Sequence, residues 1–545
     1  MKKYLLILTI FLLLLETAAF AEAGQDNSGD VLEHRSWQFQ SGRWSDLRSQ
    51  IPKAKKMGMN RIQLSHRIIM DVHEMWDGPS HFIQSRMVSD CLKQAKKNGL
   101  KVDVWVHEFS NVPDKFVSGG KLQISDELWD WLRGKYVRFF DMFPEVDGLV
   151  LTFAETQYKL YLPEEVDAGE DVLAHFVKMI DVIAEECEKR GKLLIVRTFI
   201  HRPEELDVVV RGIKRASEEI KRDNIIVMSK CAPHDWHPYY PYSPVFDQDM
   251  GFPMIVEVDS GQEYTGKSWI PHAEVDYTRH VMRIARNKGV IGAVTRVDRY
   301  EYPAIGTLNE VNVYAFSRLL HDPGLSSDDI WFEWAGGKFG KDAAPLVASA
   351  LDRTFDITNL ILFPMQEWFY DHSRIPSYDY VRQNFSDYGC TSVARWLPNP
   401  QYESNWEAMT FPDGDTFIKV AHEKELAGKL LTASMSDLEA AKPFLQENDY
   451  AELKNAFEKT GAILEISGHH ALAVLKTRRY ETLLEKPGGS RETQQLKKEI
   501  SAHLDALAVL GPAYHDRFGN KDSSFGGVKS KLEKFVKEIR GIIDA

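Results

Sequence analysis

The chain has 545 residues, enough for two or three domains with substantial cores, and its 43% hydrophobic and 27% charged residues are ordinary globular material. Its formal net charge is −13, from 67 Lys and Arg against 80 Asp and Glu. An acidic balance without a basic block excludes nucleic acid as an expected partner.

The chain opens with the pattern of a signal peptide over residues 1–21. Lys2 and Lys3 precede an apolar run from Tyr4 to Leu15, and Ala19-Phe20-Ala21 fits a small-x-small cleavage site. The run is too short for a spanning helix. No cysteine follows it to carry a lipid anchor, and no later stretch resembles a membrane span. The expected location is the periplasm or the cell exterior. Cys91, Cys187, Cys231 and Cys390 show neither metal-ligand spacing nor a dense disulfide framework; Cys91 and Cys187 fall in helix-like segments, so buried free thiols are the default, with one disulfide open in an exported protein.

A polar linker leads into alternating strand and helix patterns. Strands are expected at Arg35–Gln40, Asn60–Ser65, Lys101–His107, Gly148–Phe153, Leu193–Phe199, Ile225–Met228, Met254–Val258 and Val290–Arg296. Helices are expected at Gly42–Met57, Ser85–Asn98, Asp126–Met142, Asp171–Arg190 (stopped by Gly191), Pro203–Arg222, Val275–Asn287 and Asn309–Leu320. This repeat fits an α/β fold, a (β/α)8 barrel over residues 22–322. An open doubly wound sheet has little support, because no Gly-rich fingerprint follows the first strand. From about Pro323 the pattern turns helical, with Phe417–Ala441, Asp449–Thr477, Arg491–Leu510 and Gly527–Ile543 as its clearest helices. An α-helical C-terminal domain over 323–545 is expected, with a surface that would support a homodimer. Between Met365 and Trp406 lies an aromatic-rich stretch, including Trp368, Tyr380 and Trp396. Core packing accounts for most of these rings, and a minority are expected to reach over the barrel mouth.

Polar chemistry gathers at the strand ends. The second strand ends in Ser65 and His66, the third in His107 and Glu108, and the fourth is followed by Glu155. The fifth carries Arg197 and later His201. The sixth leads to Lys230, Asp235 and Trp236, the seventh to Glu257 and Glu263, and the eighth to Arg296, Asp298 and Arg299. A purely structural barrel has no need of these charges, and burying them unpaired is costly. Metal hydrolysis is disfavoured because the histidines are scattered without ligand spacing. Nucleophilic Ser or Cys catalysis lacks an elbow motif. Paired carboxylates remain, and they suit glycoside hydrolysis, in which one carboxyl protonates the leaving oxygen and another activates water or attacks the sugar. Lys230 and Arg197 could then hold an anionic group. No cofactor and no metal are called for.

Lys230 to Phe246, KCAPHDWHPYYPYSPVF, resembles a segment of the α-glucuronidases of glycoside hydrolase family 67, and Glu257 to Gly266, EVDSGQEYTG, is similar to their next motif. Val196 to Ile200, VRTFI, and Leu308 to Trp334 also look like stretches of that family. The resemblance implies an inverting exo-α-glycosidase on a (β/α)8 barrel, acting on the uronic acid end of an oligosaccharide or polysaccharide. It implies Asp235 and Glu263 as the pair acting on water, Glu155 as the acid, and Arg197 and Lys230 as binders of the uronate carboxylate. His66, His107, Glu108, Trp236 and Glu257 are further expected contributors to the substrate pocket. There are departures. Leu151 stands where the family has a second lysine, the context of Glu155 is altered, and the family's N-terminal β-domain is expected to be absent. An exo-glycosidase for a neutral or N-acetylated sugar, or a glycan-binding barrel without catalysis, are the alternatives. An acid in the role of Glu155 is expected to have its pKa raised by its surroundings, giving a bell-shaped pH profile.

Overall fold

The computed structural model describes residues 31–40, 44–65, 79–167, 171–299, 302–370, 372–385, 392–485, 491–519 and 527–544. The signal-peptide segment, His66 and Cys390 lie outside the described residues. Eight strands, β1 (His34–Phe39), β2 (Arg61–Leu64), β3 (Lys101–His107), β4 (Gly148–Thr152), β5 (Leu193–Arg197), β6 (Ile225–Lys230), β7 (Met254–Asp259) and β8 (Gly292–Arg296), form one closed barrel. Every neighbour pair is parallel, and the order around the barrel is the order along the chain.

Helices α1 (Trp44–Lys56), α2 (Pro79–Lys97), α3 (Asp126–Met142), α4 (Val172–Glu188), α5 (Pro203–Glu219), α6 (Val275–Asn287) and α7 (Glu310–Leu319) supply the outer layer. Their starts and stops have local causes. Ser125 Oγ caps α3 by accepting from Leu128 N at 3.2 Å, and Asp171 caps α4 by accepting from Ala174 N. Gly191 takes φ +63° just after α4, the left-handed stop that its sequence position suggested. The expected alternation fails at one place. Between β6 and β7 the described chain makes only a 3-10 turn, Pro244–Asp247, in a proline-rich loop. A small three-stranded sheet of Val117–Ser118, Lys121–Gln123 and Val166–Asp167 was also unforeseen.

Strand alternation divides the barrel's two faces. Trp105, Val150, Ile195, Ile226, Met228, Ile255 and Val294 form a separate apolar cluster that fills the interior. Below it, Arg61 Nε donates to Asp103 Oδ2 at 2.8 Å. Gly292 is needed in this tight base, since a Cβ there would meet His34 O at 2.3 Å. Two steps along each strand from the apolar layer, the same inward face carries His107, Thr152, Arg197, Lys230 and Arg296. The polar strand ends are therefore the top layer of the barrel interior.

The rest of the described chain is helical: α8 (Ser327–Phe339), α9 (Ala344–Asp352), α10 (Thr354–Leu362), α11 (Tyr378–Asn384), α12 (Val393–Trp396), α13 (Pro400–Thr410), α14 (Gly414–Ala441), α15 (Glu447–Leu484), α16 (Arg491–Phe518) and α17 (Val528–Asp544). Helices α14 to α17 pack in sequence, and α9 and α10 join them to the barrel side. Thr354 Oγ1 accepts from Ala273 N at 2.9 Å and Thr358 Oγ1 donates to Pro271 O at 3.0 Å, so α10 is tied to the loop after β7. No helix among the described residues is long and apolar enough to cross a membrane. Cys91 and Cys187 are free and buried, the default expected of them, and Cys231 is free and buried as well.

Candidate active site

The C-terminal mouth of the barrel opens into a cavity of about 910 Å³, counting the open space at its rim. Glu155, Asp235 and Glu263 all line it, together with Gln40, Trp105, His201, Lys230, His234, Tyr264, Arg296, Arg299, Trp368, His372 and Tyr380. A barrel enzyme keeps its reactive groups at this end, because the strand-to-helix loops converge there.

The three carboxylates are held differently. Asp235 sits in the loop after β6, where its Oδ1 pairs with Lys230 Nζ and its Oδ2 accepts from Tyr264 OH at 2.8 Å. Burial alone would raise its pKa, but the Lys230 charge and these hydrogen bonds hold it well below the usual carboxylate range. Glu263 stands in the turn after β7. Asp259 Oδ2 accepts from its backbone N at 2.8 Å, and Gly261 lets the turn approach the Asp298 backbone, where a Cβ would meet Asp298 O at 2.8 Å. Its Oε2 accepts from Arg296 Nη1 at 2.8 Å, and its Oε1 from Arg299 and from His372 Nδ1, the latter at 2.8 Å. Against burial, the Arg299 charge, the His372 hydrogen bond and Arg296 lower its pKa to about 2.

Glu155, in the loop after β4, is the exposed one, with 44% of its side chain open against 18% for Asp235 and 3% for Glu263. Its Oε2 lies 3.7 Å from His107 Nε2 and 3.9 Å from Arg197 Nη1. Desolvation pushes its pKa up, but His107 and the charges of Arg197 and Lys230 outweigh it and hold the group well below the ordinary range. That direction is opposite to the raised pKa expected of an acid, because the candidate leans on His107 and on the charges of Arg197 and Lys230.

The cations rest on aromatic rings that replace water. Lys230 Nζ lies 3.7 Å from the Phe199 centroid and 4.0 Å from that of Trp236, and burial lowers its pKa. Arg296 covers the same Trp236 ring at 4.1 Å, and Arg197 stacks at 4.6 Å on Trp105.

Of the other sequence-predicted residues, His107 reaches the site through Glu155. Trp236 serves as the aromatic floor under Lys230 and Arg296 and does not line the cavity. Glu257 is corrected from substrate binder to internal brace. It is fully buried, accepting from Arg197 Nε at 2.7 Å and from Arg296 Nε at 3.3 Å, so no acceptor faces a ligand. Glu108 is likewise corrected. One residue past the inward-facing His107, it is buried against Lys135 Nζ at 3.0 Å, Tyr136 OH and its neighbour Phe109 N. Asp298 accepts from Gln40 N at 2.6 Å and so ties β8 to β1.

Sequence reasoning missed His372 as a partner of Glu263. The described residues between Phe363 and Tyr380 bring Trp368 and Tyr380 to the mouth, two of the aromatic rings of which a minority were expected there, and His372 beside them. His372 and Ser373 both take positive φ, +46° and +61°. Ser373 Oγ accepts from Gly266 N at 2.9 Å and donates to Glu263 O at 3.2 Å, which pins this strap to the β7 loop.

No protein-family model matches the chain. A curated protein of Aspergillus flavus named "Probable alpha-glucuronidase A" is 24% identical over 269 residues, 43% of this chain and 30% of that protein. A protein of the same name from Neosartorya fischeri is 25% identical over 215 residues, 35% of this chain and 24% of that protein. The matched segments thus span less than a third of the length of these relatives. Among solved structures, a Thermobaculum terrenum O-GlcNAc hydrolase variant aligns at 10% identity and a TM-score of 0.49 over 93% of this chain and 94% of its own. A family GH115 4-O-methyl-alpha-glucuronidase with specificity for decorated arabinogalactans aligns at 10% identity and a TM-score of 0.49, over 94% of this chain and 62% of its own. In sequence, part of this chain is therefore similar to part of the curated α-glucuronidases.

Proposed function

We propose that this protein is an exported glycoside hydrolase, an inverting exo-acting α-glycosidase that removes a terminal uronic acid from an oligosaccharide or polysaccharide. The observation that carries the reading is the convergence of Glu155, Asp235 and Glu263 on one cavity at the barrel mouth, with Lys230 and Arg197 beside them. The motif resemblance to the family 67 enzymes and the partial similarity to curated α-glucuronidases support it. Export rests on the first 21 residues.

In the mechanism, Lys230 and Arg197 face the sugar's carboxylate. Asp235, ionised and still reachable from the cavity, accepts a proton from the attacking water. Glu263, fixed by two arginines and His372, orients that water as a second acceptor. Glu155 gives its proton to the departing glycosidic oxygen. Charge develops on the sugar ring as the bond breaks, and the fixed carboxylates stabilise it without reorganising.

The test is hydrolysis of aryl α-D-glucuronides against aryl α-D-glucosides and N-acetylated analogues, with proton NMR following the anomer released. Release of β-glucuronic acid first is expected. Faster cleavage of neutral sugars would remove the uronate assignment, and release of the α-anomer would remove inversion. One observation favours the neutral-sugar alternative: Leu151, at the position of the family's second lysine, is fully buried in β4 and offers no charge.

A further inference from the structure

Glu155 poses a problem within this mechanism. A proton donor should be protonated, yet the free protein holds it as an anion. The geometry around Arg197 offers a resolution. Arg197 gives Nε and Nη2 to Glu257, at 2.7 and 3.4 Å, while its buried Nη1 has no hydrogen-bond partner among the described residues. The guanidinium side chain is 1% exposed, and the Glu155 carboxylate lies over it at 3.9 Å. Neither that contact nor the 3.7 Å one to His107 is short enough for a normal hydrogen bond. Glu155 therefore rests loosely on a cationic seat, through a side chain that is 44% exposed and has room to swing. A ligand carboxylate seeking Arg197 must meet Glu155 first.

We propose that Glu155 is a placeholder, occupying in the free protein the seat over His107 and Arg197 that the substrate's carboxylate takes, and that a uronate displaces it and so converts it to the protonated donor. The inference rests on the uronidase reading above. Two anions cannot share one cationic seat cheaply, so the displaced carboxylate loses the charges that kept it ionised and gains a like charge beside it. It then takes a proton from solvent. The groups facing Glu155 are His107 from β3, Arg197 from β5, His201 from the following loop, and Lys230 and His234 from β6 and its loop. Burial lowers the pKa of both His201 and His234, the latter to about 4, so Arg197 and Lys230 are the fixed cations of the set. Selectivity for a charged sugar would then act on the chemical step as well as on binding. A neutral sugar leaves Glu155 on its seat as an anion that cannot donate.

Calorimetric titration with glucuronate, in two buffers of different ionisation enthalpy near pH 6, tests this without requiring turnover. The wild type should take up about one proton per glucuronate bound, and Glu155→Gln should take up none. Glu155→Gln should also bind glucuronate about tenfold tighter, because no anion must be displaced first. Glu155→Ala should follow it. Wild-type binding without proton uptake, uptake that persists in Glu155→Gln, or weaker binding by both variants would overturn the placeholder. If neither wild type nor variant binds glucuronate at all, the uronate reading itself falls and takes this inference with it.

Discussion

The two sides of the mouth are built on opposite plans. On the β6–β7 side, Asp235 and Glu263 have their carboxylate oxygens engaged by Lys230, Tyr264, Arg296, Arg299 and His372. On the β4 side, the ionic partners of Glu155 among the described residues lie at 3.7 and 3.9 Å. The difference matches what each group would have to do. Carboxylates that stay ionised through a reaction gain from being clamped, since fixed partners cost no reorganisation. A group that must gain and lose a proton, and move, gains from being loosely held.

The largest effect expected from this contrast is at Asp235. Asp235→Asn should lower kcat on an α-glucuronide by about 10²–10⁴-fold with an unchanged circular dichroism spectrum. Near-normal turnover would show that the clamped side is scaffolding. Glu257→Ala should instead act on folding. It leaves Arg197 and Arg296 buried without their shared partner, so urea unfolding should show a loss of about 3–5 kcal/mol.

Acid should dissolve the clamped side from within. The pKa of Glu263 lies at about 2 against an ordinary 4.5, so its ionised form is favoured in the folded chain. Its contribution is fully present above the unfolded value and is lost as pH falls through the folded one. Between pH 5 and pH 2 the unfolding free energy should therefore fall by about 3 kcal/mol from Glu263. Asp235 adds in the same direction. Urea titrations across that range check this, and Glu263→Gln should flatten the slope. The same low values remove the acid limb expected near ordinary carboxylate pKa values from kcat/KM, which reports the free protein.

Much of this was legible in the sequence because it is local. The eight strands were visible from apolar runs of strand length, and α3 and α6 were placed to the residue. Lys230 and Asp235 stand five residues apart, so one loop brings them together. Period-two alternation also held information left unused. With Trp105 and His107 facing inward, Glu108 must face outward, which excludes it from the pocket. Glu257 lies two residues past Ile255 on the inward face of β7, in register with Lys230, and what keeps it from a ligand is its pairing with the buried Arg197 and Arg296, which strand alternation does not reveal. What could not be read was the closing of the mouth from the helical side. His372 is 109 residues from Glu263, and its turn depends on two left-handed residues that are neither Gly nor Asn.

That long-range contact gives the smallest and most selective effect. Glu263, ionised, can only accept, so His372 Nδ1 must carry the hydrogen between them. Ser373 fastens the backbone separately, through Gly266 N and Glu263 O, so removing the imidazole should leave the strap in place. Glu263 also keeps both arginines and stays ionised without it. His372→Ala should therefore lower kcat by about tenfold, the worth of one orienting hydrogen bond to a charged group, with KM and melting temperature nearly unchanged. His372→Gln, which retains a donor, should recover part of the loss. Equal losses in the two variants, or a parallel drop in melting temperature, would make His372 a packing residue and leave the orientation of Glu263 to Arg296 and Arg299.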